Sequence, residues 1–206
     1  MNNNLNTIYL IDWDDTLFPT SWFKKNNISL YNKSSVDNYK LYFMELDNTI
    51  EKILYKLNKN GKIYIVTNAN LKWINDCLNE LPFTKDIIDA NQIKILSARD
   101  LYSKKYLNIM EWKKNTFKNI VNSIINYDKC TNIISIGDAD YEYYGLLELD
   151  NHIKTLNNNH CYLLKNIKFI ESPNFEQIID QNELLHKSID NITNNLRYID
   201  IKLLVI

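Results

Sequence analysis

This sequence predicts a doubly wound α/β domain, and three observations carry that expectation. Short, continuous apolar runs recur at 8–11, 63–66, 93–96 and 133–136, with a fifth strand-like region around 162–164 and 167–170. Runs that are continuous rather than alternating suit strands covered on both faces of a parallel sheet. Segments with helical spacing separate them, and no internal repeat or Gly/Ser linker marks a second unit.

The elements follow in order. After the first strand, Tyr39, Phe43, Leu46, Ile50, Ile53, Leu54 and Leu57 recur at three- and four-residue steps, which is one apolar helix face. Gly61 stands where that helix should end. A second helix is expected from about Leu71 to Leu81, stopped by Pro82. A third runs through Phe117, Ile120, Val121 and Ile124, and a fourth from about Phe175 through Leu185. Residues 1–185 then make the main domain, and 186–206 an extension packed on it or extending it. Within that extension Asp190 to Asn195 reads as polar and turn-like, and 198–206 is β-rich. It offers an edge strand, a segment packed on the core, or a surface for association.

The 206 residues suffice for one domain with a full core, and a 45% hydrophobic, 24% charged composition is ordinary for a globular protein. A net charge of -1 argues against a general nucleic-acid or membrane surface. Cys77, Cys130 and Cys161 are widely separated and show no CxxC spacing, so the reading is reduced, mostly buried thiols. With no apolar stretch of transmembrane length and no signal-peptide pattern, the expected location is cytoplasmic.

The first strand stops on Asp12-Trp13-Asp14-Asp15-Thr16, three carboxylates within four positions. Such acids repel one another and persist where a cation or a reaction needs them. Three more features sit at expected strand ends or helix starts. They are Thr67-Asn68 after the second strand, Lys113 near the start of the third helix, and Gly137-Asp138-Ala139-Asp140-Tyr141-Glu142 after the fourth strand. Parallel strands bring such loops to one sheet edge, where open α/β folds bind ligands.

This set, in this order, resembles the four motifs of the haloacid dehalogenase superfamily of phosphohydrolases: DxDxT, Thr or Ser, Lys, and GDxxxD/E. The resemblance covers roughly residues 7–180. The extended Asp-Trp-Asp-Asp-Thr-Leu-Phe-Pro, with Ser97-Ala98-Arg99 later, looks like a subgroup seen in protists, plants and large DNA viruses. The resemblance implies a three-layer α/β/α Rossmann-like fold with about five parallel strands. The intervals after the first and second motifs leave no room for a substantial cap domain.

It also implies a Mg²⁺-dependent phosphomonoester hydrolase. Asp12 would attack phosphorus and form an aspartyl-phosphate. Asp12, Asp138 and the Asp14 backbone carbonyl would hold Mg²⁺. The Asp14 side chain would act as general acid and base. Thr67, Asn68 and Lys113 would bind the phosphoryl group, with Lys113 balancing charge against Asp12. Glu142 would support the metal through a water or Lys113, and Thr16 would hold the loop. Asp140 is the lesser acid of its motif, and Asp15 reads as a solvated or loop-bonding acid.

Blander readings stand beside these. Lys104, Lys105 and Lys114 compete with Lys113, and Asn68 serves equally as a turn residue. His152, His160 and His186 lie outside the motifs. Arg99 either faces the site or makes a structural salt bridge. The segment Trp22-Phe23-Lys24-Lys25 either touches substrate or packs its loop, with packing favoured. An open site suits a phosphorylated protein or another large substrate. The alternatives are a nucleic-acid 3′-end phosphatase, disfavoured by the near-neutral charge, and an idle binding or regulatory module of the same fold.

Overall fold

The computed structural model describes residues 5–124, 129–156 and 161–202. Its sheet has six parallel strands in the order β3-β2-β1-β4-β5-β6, one more than expected. The strands are β1 (Leu5–Ile11), β2 (Lys62–Thr67), β3 (Lys94–Ser97), β4 (Cys130–Gly137), β5 (Tyr162–Lys168) and β6 (Ile199–Lys202). The tail supplies β6 as an edge strand, in parallel register with β5 from Lys165↔Ile199 to Lys168↔Lys202.

Among the described residues the connections hold nine helices. Between β1 and β2 come α1 (Thr20–Lys25), α2 (Lys33–Asn38) and α3 (Lys40–Asn60). Between β2 and β3 come α4 (Leu71–Leu78) and α5 (Pro82–Ala90), then α6 (Ala98–Tyr102) and α7 (Met110–Ile124) lead into β4. Helix α8 (Asp140–Leu156) joins β4 to β5, and α9 (Phe175–Asn194) joins β5 to β6. No helix among the described residues is long and apolar enough to cross a membrane. No large cap stands over the sheet among them, since α3, α4 and α5 pack their apolar faces into the core.

Alternation along the strands builds two cores. Tyr9, Ile11, Ile63, Ile65, Ile134 and Ile136 face the layer formed by α3, α4, α5 and α9. Ile8, Leu10, Tyr64, Val66 and Ile133 face α7 and α8. This is the three-layer Rossmann-like arrangement expected, and it explains why the strand runs are apolar at every position.

Three expectations require correction. Pro82 does not stop a helix running from Leu71; α4 ends at Leu78 and Pro82 opens α5. At a first helical position its missing N–H costs nothing. The buried Asp47 of α3 accepts the next two α5 amides, from Phe83 (3.0 Å) and Thr84 (2.7 Å), and so acts as the cap. Asp190–Asn195 is not a turn either: α9 runs to Asn194, because Ile189 and Ile192 continue its apolar face. Position 185/186 therefore falls inside a helix. The cysteines differ as well, since Cys130 and Cys161 form a disulfide with Cα atoms 4.5 Å apart. The parallel β4–β5 pairing brings their strand starts together, and only Cys77 is a buried free thiol.

The last connection is unusual. Moving outward from β4, the chain crosses to β5 over the α7/α8 face and then to β6 over the α3/α9 face. The first four crossovers share one hand and the β5–α9–β6 crossover has the other, a rare choice in parallel sheets. The carboxyl end of α9 is pinned in compensation. Lys165, fully buried on β5, donates to the Ile192 and Thr193 carbonyls at 2.7 and 3.0 Å. Asn132 Nδ2 donates to Thr193 O at 3.1 Å, and Tyr9 shares a hydroxyl hydrogen bond with Thr193. These bonds help satisfy the carbonyls at the helix end, where intrahelical donors run out.

Candidate active site

Strand order reverses between β1 and β4, and the acidic run leaves β1 at that switch point, where open α/β sheets bind ligands. The Asp12 amide donates to Ile136 O at 2.9 Å, extending the β1–β4 pairing by one step. That bond sets Asp12 beside Asp138, the first residue after β4. The chain then curls: the Trp13 carbonyl accepts the amides of Thr16, Leu17 and Phe18. Asp15 adopts a left-handed backbone at φ 56, a region Asp tolerates better than most residues. Trp13 and Phe18 are fully buried and stack beneath the curl with ring centroids 6.1 Å apart.

Four charged groups from different elements meet here. Carboxylate oxygens of Asp12, Asp138 and Glu142 all lie within 4.8 Å of one another. The Lys113 ammonium sits 2.7 Å from Asp12 Oδ1 and also pairs with Glu142. Lys113 and Glu142 are each only 1% exposed, whereas the competing Lys114 pairs instead with Glu111. Gly137 is required for this convergence, because a Cβ there would overlap the Glu142 side chain.

Asp14 turns its carboxylate elsewhere. Its Oδ1 accepts hydrogen bonds from Thr20 Oγ1 (2.5 Å) and Trp73 Nε1 (3.0 Å), and its Oδ2 accepts one from Thr67 Oγ1 (3.1 Å). Thr67 in turn accepts the Ala69 amide. Asp15 bonds within the loop, to the Ser21 amide and hydroxyl. Thr16 supports the loop, though not as expected: its hydroxyl lacks a partner among the described residues, and its carbonyl takes Asn182 Nδ2 from α9 at 2.9 Å. The Asn68 side-chain amide is likewise buried without a partner on either polar atom.

The remaining candidates separate cleanly. Asp140 pairs with Lys168 and is largely exposed. Arg99 is exposed, at the carboxyl edge of β3, and forms no ion pair among the described residues. Phe23 is buried and Trp22 packs on Tyr39, Tyr42 and Phe175, so this segment takes the packing role. His152 bonds Asn122 on the α7/α8 side, His186 lies on α9, and His160 falls outside the described residues. A hollow of about 780 Å³ at the opposite, amino-terminal sheet edge has no carboxylate, histidine or cysteine among the described residues of its lining. Its titratable groups are Lys59, Lys62, Lys94 and Tyr64, so among the described residues it offers no set of metal ligands.

Sequence reasoning missed Thr20, Ser21, Trp73 and Asn182. Thr20 and Ser21 follow Pro19, an ordinary helix-start pattern, and no periodicity links Trp73 or Asn182 to the acidic loop.

Charge in the cluster is unbalanced: three carboxylates face one ammonium. Burial pushes the Asp12 carboxyl well above its ordinary range, with Lys113 opposing and Glu142, Asp138 and Asp14 adding to the rise. Burial, then Glu142, push Asp138 to about 7. Lys113 is held above its usual value, since Asp12 and Glu142 outweigh the effect of its burial. The donor set fits a hard divalent cation, for it is all oxygen, carries excess negative charge, and leaves Glu142 Oε2 without a hydrogen-bond partner.

A pH dependence follows. An acid whose folded pKa is raised binds more protons folded than unfolded, so stability falls as pH rises through the window. For Asp138 that window runs from about 4, the unfolded value, to about 7. The chelator-treated protein should show a lower Tm at pH 8 than at pH 5. Mg²⁺ should raise Tm more at pH 8, where the carboxylates are free to bind it. Equal Tm shifts at both pH values, read by scanning calorimetry, would count against a cation site here.

The class defined by fold and site is a Rossmann-like α/β protein with a buried carboxylate–lysine cluster at its switch point. Among known proteins, no family model, no curated protein and no solved structure matches the chain.

Proposed function

We propose that this chain is a Mg²⁺-dependent phosphomonoester hydrolase of the haloacid dehalogenase type, acting through Asp12. The observation that carries the reading is the division of labour among the acids. Asp12 shares Lys113 with Glu142 and lies beside Asp138, while Asp14 is held apart against Thr67.

Asp12, Asp138 and the Asp14 carbonyl would hold Mg²⁺, with Glu142 behind them. When bound, the ion neutralises phosphate charge that would repel the attacking carboxylate. Lys113 adds a fixed positive charge beside the attacking oxygen. As an Asp12 oxygen bonds to phosphorus, the bond from phosphorus to the leaving oxygen breaks and the Asp14 carboxyl gives that oxygen its proton. The products are the aspartyl-phosphate and a free alcohol. Asp14, now a carboxylate, takes a proton from the water that attacks phosphorus, and the bond from phosphorus to Asp12 breaks. Inorganic phosphate leaves and both acids return to their starting forms. Thr67 and the neighbouring backbone N–H groups, including that of Asn68, would receive phosphoryl oxygens.

The uncapped sheet edge favours a bulky substrate such as a phosphoprotein, since nothing described over the strands would enclose a small one. The test is phosphate release by the purified protein from an aryl phosphate, phosphopeptides and a 3′-phosphorylated oligonucleotide, each in Mg²⁺ and in chelator. Mg²⁺-dependent release from the aryl phosphate and phosphopeptides is expected. Release from the oligonucleotide alone would instead assign nucleic-acid end processing. Release from none would leave a binding module.

A further inference from the structure

The geometry points to Trp73, together with Thr20, as the residues that position Asp14 and assign the proton-exchanging role to one of its oxygens. This rests on the proposed phosphatase reading and concerns residues outside its four motifs. Each carboxylate oxygen offers about two lone-pair sites. On Oδ1 both are taken, by the Trp73 indole N–H and the Thr20 hydroxyl. On Oδ2 only the Thr67 hydroxyl is bound among the described residues. Oδ2 is therefore the oxygen with room for a proton and a leaving group, and Oδ1 is the hinge by which the carboxyl is held.

The Thr67 hydroxyl has a single proton to give. Once a phosphoryl oxygen accepts it, Oδ2 is released and the two Oδ1 bonds alone fix the Asp14 rotamer. Trp73 and Thr20 thus matter most when substrate is present, a condition a merely structural contact would not share. Both are well anchored for this. Asn70 caps α4 by accepting the Trp73 amide at 2.8 Å, and the Trp73 ring meets Phe18 edge-on at 5.8 Å. Thr20 opens α1 directly after the acidic loop, and its amide is tied to Phe18 O at 2.8 Å. The indole and the acid curl are thereby fastened to the same buried ring.

A misplaced acid harms slow leaving groups and spares good ones, because an acidic phenol departs without being protonated. The test compares Trp73→Phe and Thr20→Val with wild type on p-nitrophenyl phosphate and on a simple alkyl phosphate, in saturating Mg²⁺. Phenylalanine keeps an aromatic ring at this position, smaller than the indole, and removes the N–H, so a thermal melt of the variant is read beside its kinetics. On the alkyl phosphate kcat/KM, which reads only the steps through loss of the leaving group, should fall roughly 10- to 100-fold, a part of the full contribution of a general acid. On the nitrophenyl ester kcat/KM should fall about twofold or less, while kcat there also carries the second step, in which Asp14 is the base for both substrates. Thr20→Ser should restore most of what Thr20→Val loses. Equal losses of kcat/KM on both substrates, or none, in an active enzyme would overturn the positioning role and leave the phosphatase reading intact. A wild-type protein inactive on both would remove the two together.

Discussion

Asp12→Asn is expected to lower phosphomonoester turnover by roughly 10⁴-fold or more, the scale on which removal of a covalent nucleophile acts. The amide matches the carboxylate in shape and fits the same pocket, so the loss should appear in kcat. Stability should move the other way in chelator. The wild-type cluster has three buried carboxylates around one ammonium, and the substitution removes one of the repelling charges. The variant should therefore unfold no earlier than wild type without Mg²⁺, and gain less from adding it. Acid-quenched wild-type enzyme should carry a hydroxylamine-labile phosphoryl group after brief exposure to substrate, and Asp12→Asn should carry none. Turnover close to wild type in Asp12→Asn would end the covalent mechanism.

Lys113→Met should have the largest effect on stability. The ammonium is almost fully buried and serves two carboxylates, so methionine keeps the volume and strands both acids. Breaking a buried pair by removing one member costs about 3–5 kcal/mol, against about 0–1 for a surface pair. Urea denaturation in chelator should show that loss as a lower midpoint at an unchanged slope. Adding Glu142→Gln to Lys113→Met should recover part of it, since one stranded charge is then gone. A midpoint shift worth less than about 1 kcal/mol would mean that water reaches the pair far better than its burial indicates.

What was legible in the sequence depended on whether a residue's partner was near it in a pattern. The strands were legible because burial on both faces leaves unbroken apolar runs, as at Ile8–Ile11. The acidic run, Lys113 and Asp138 were legible because the topology delivers strand ends to one edge. Helix α8 was overlooked although Leu146, Leu149 and Ile153 carry its spacing, because Asp, Glu, Tyr and Asn dominate the surrounding segment. Asn-rich composition likewise hid the last turns of α9. The hydrogen bonds that sort the three acids, from Trp73, Thr67 and Ser21, join residues with no regular spacing. Only the folded loop brings them together.

The pinned end of α9 bears on where this chain can be cut. A version ending at residue 185 would remove the carbonyls of Ile192 and Thr193, leaving the Lys165 ammonium inside the protein with nothing to receive its protons. The Tyr9 hydroxyl and the Asn132 amide would lose the same partner, in the two strands that flank the switch point. The last turns of α9, residues 186–194, thus behave as a keystone that closes the arch on which the acidic loop stands.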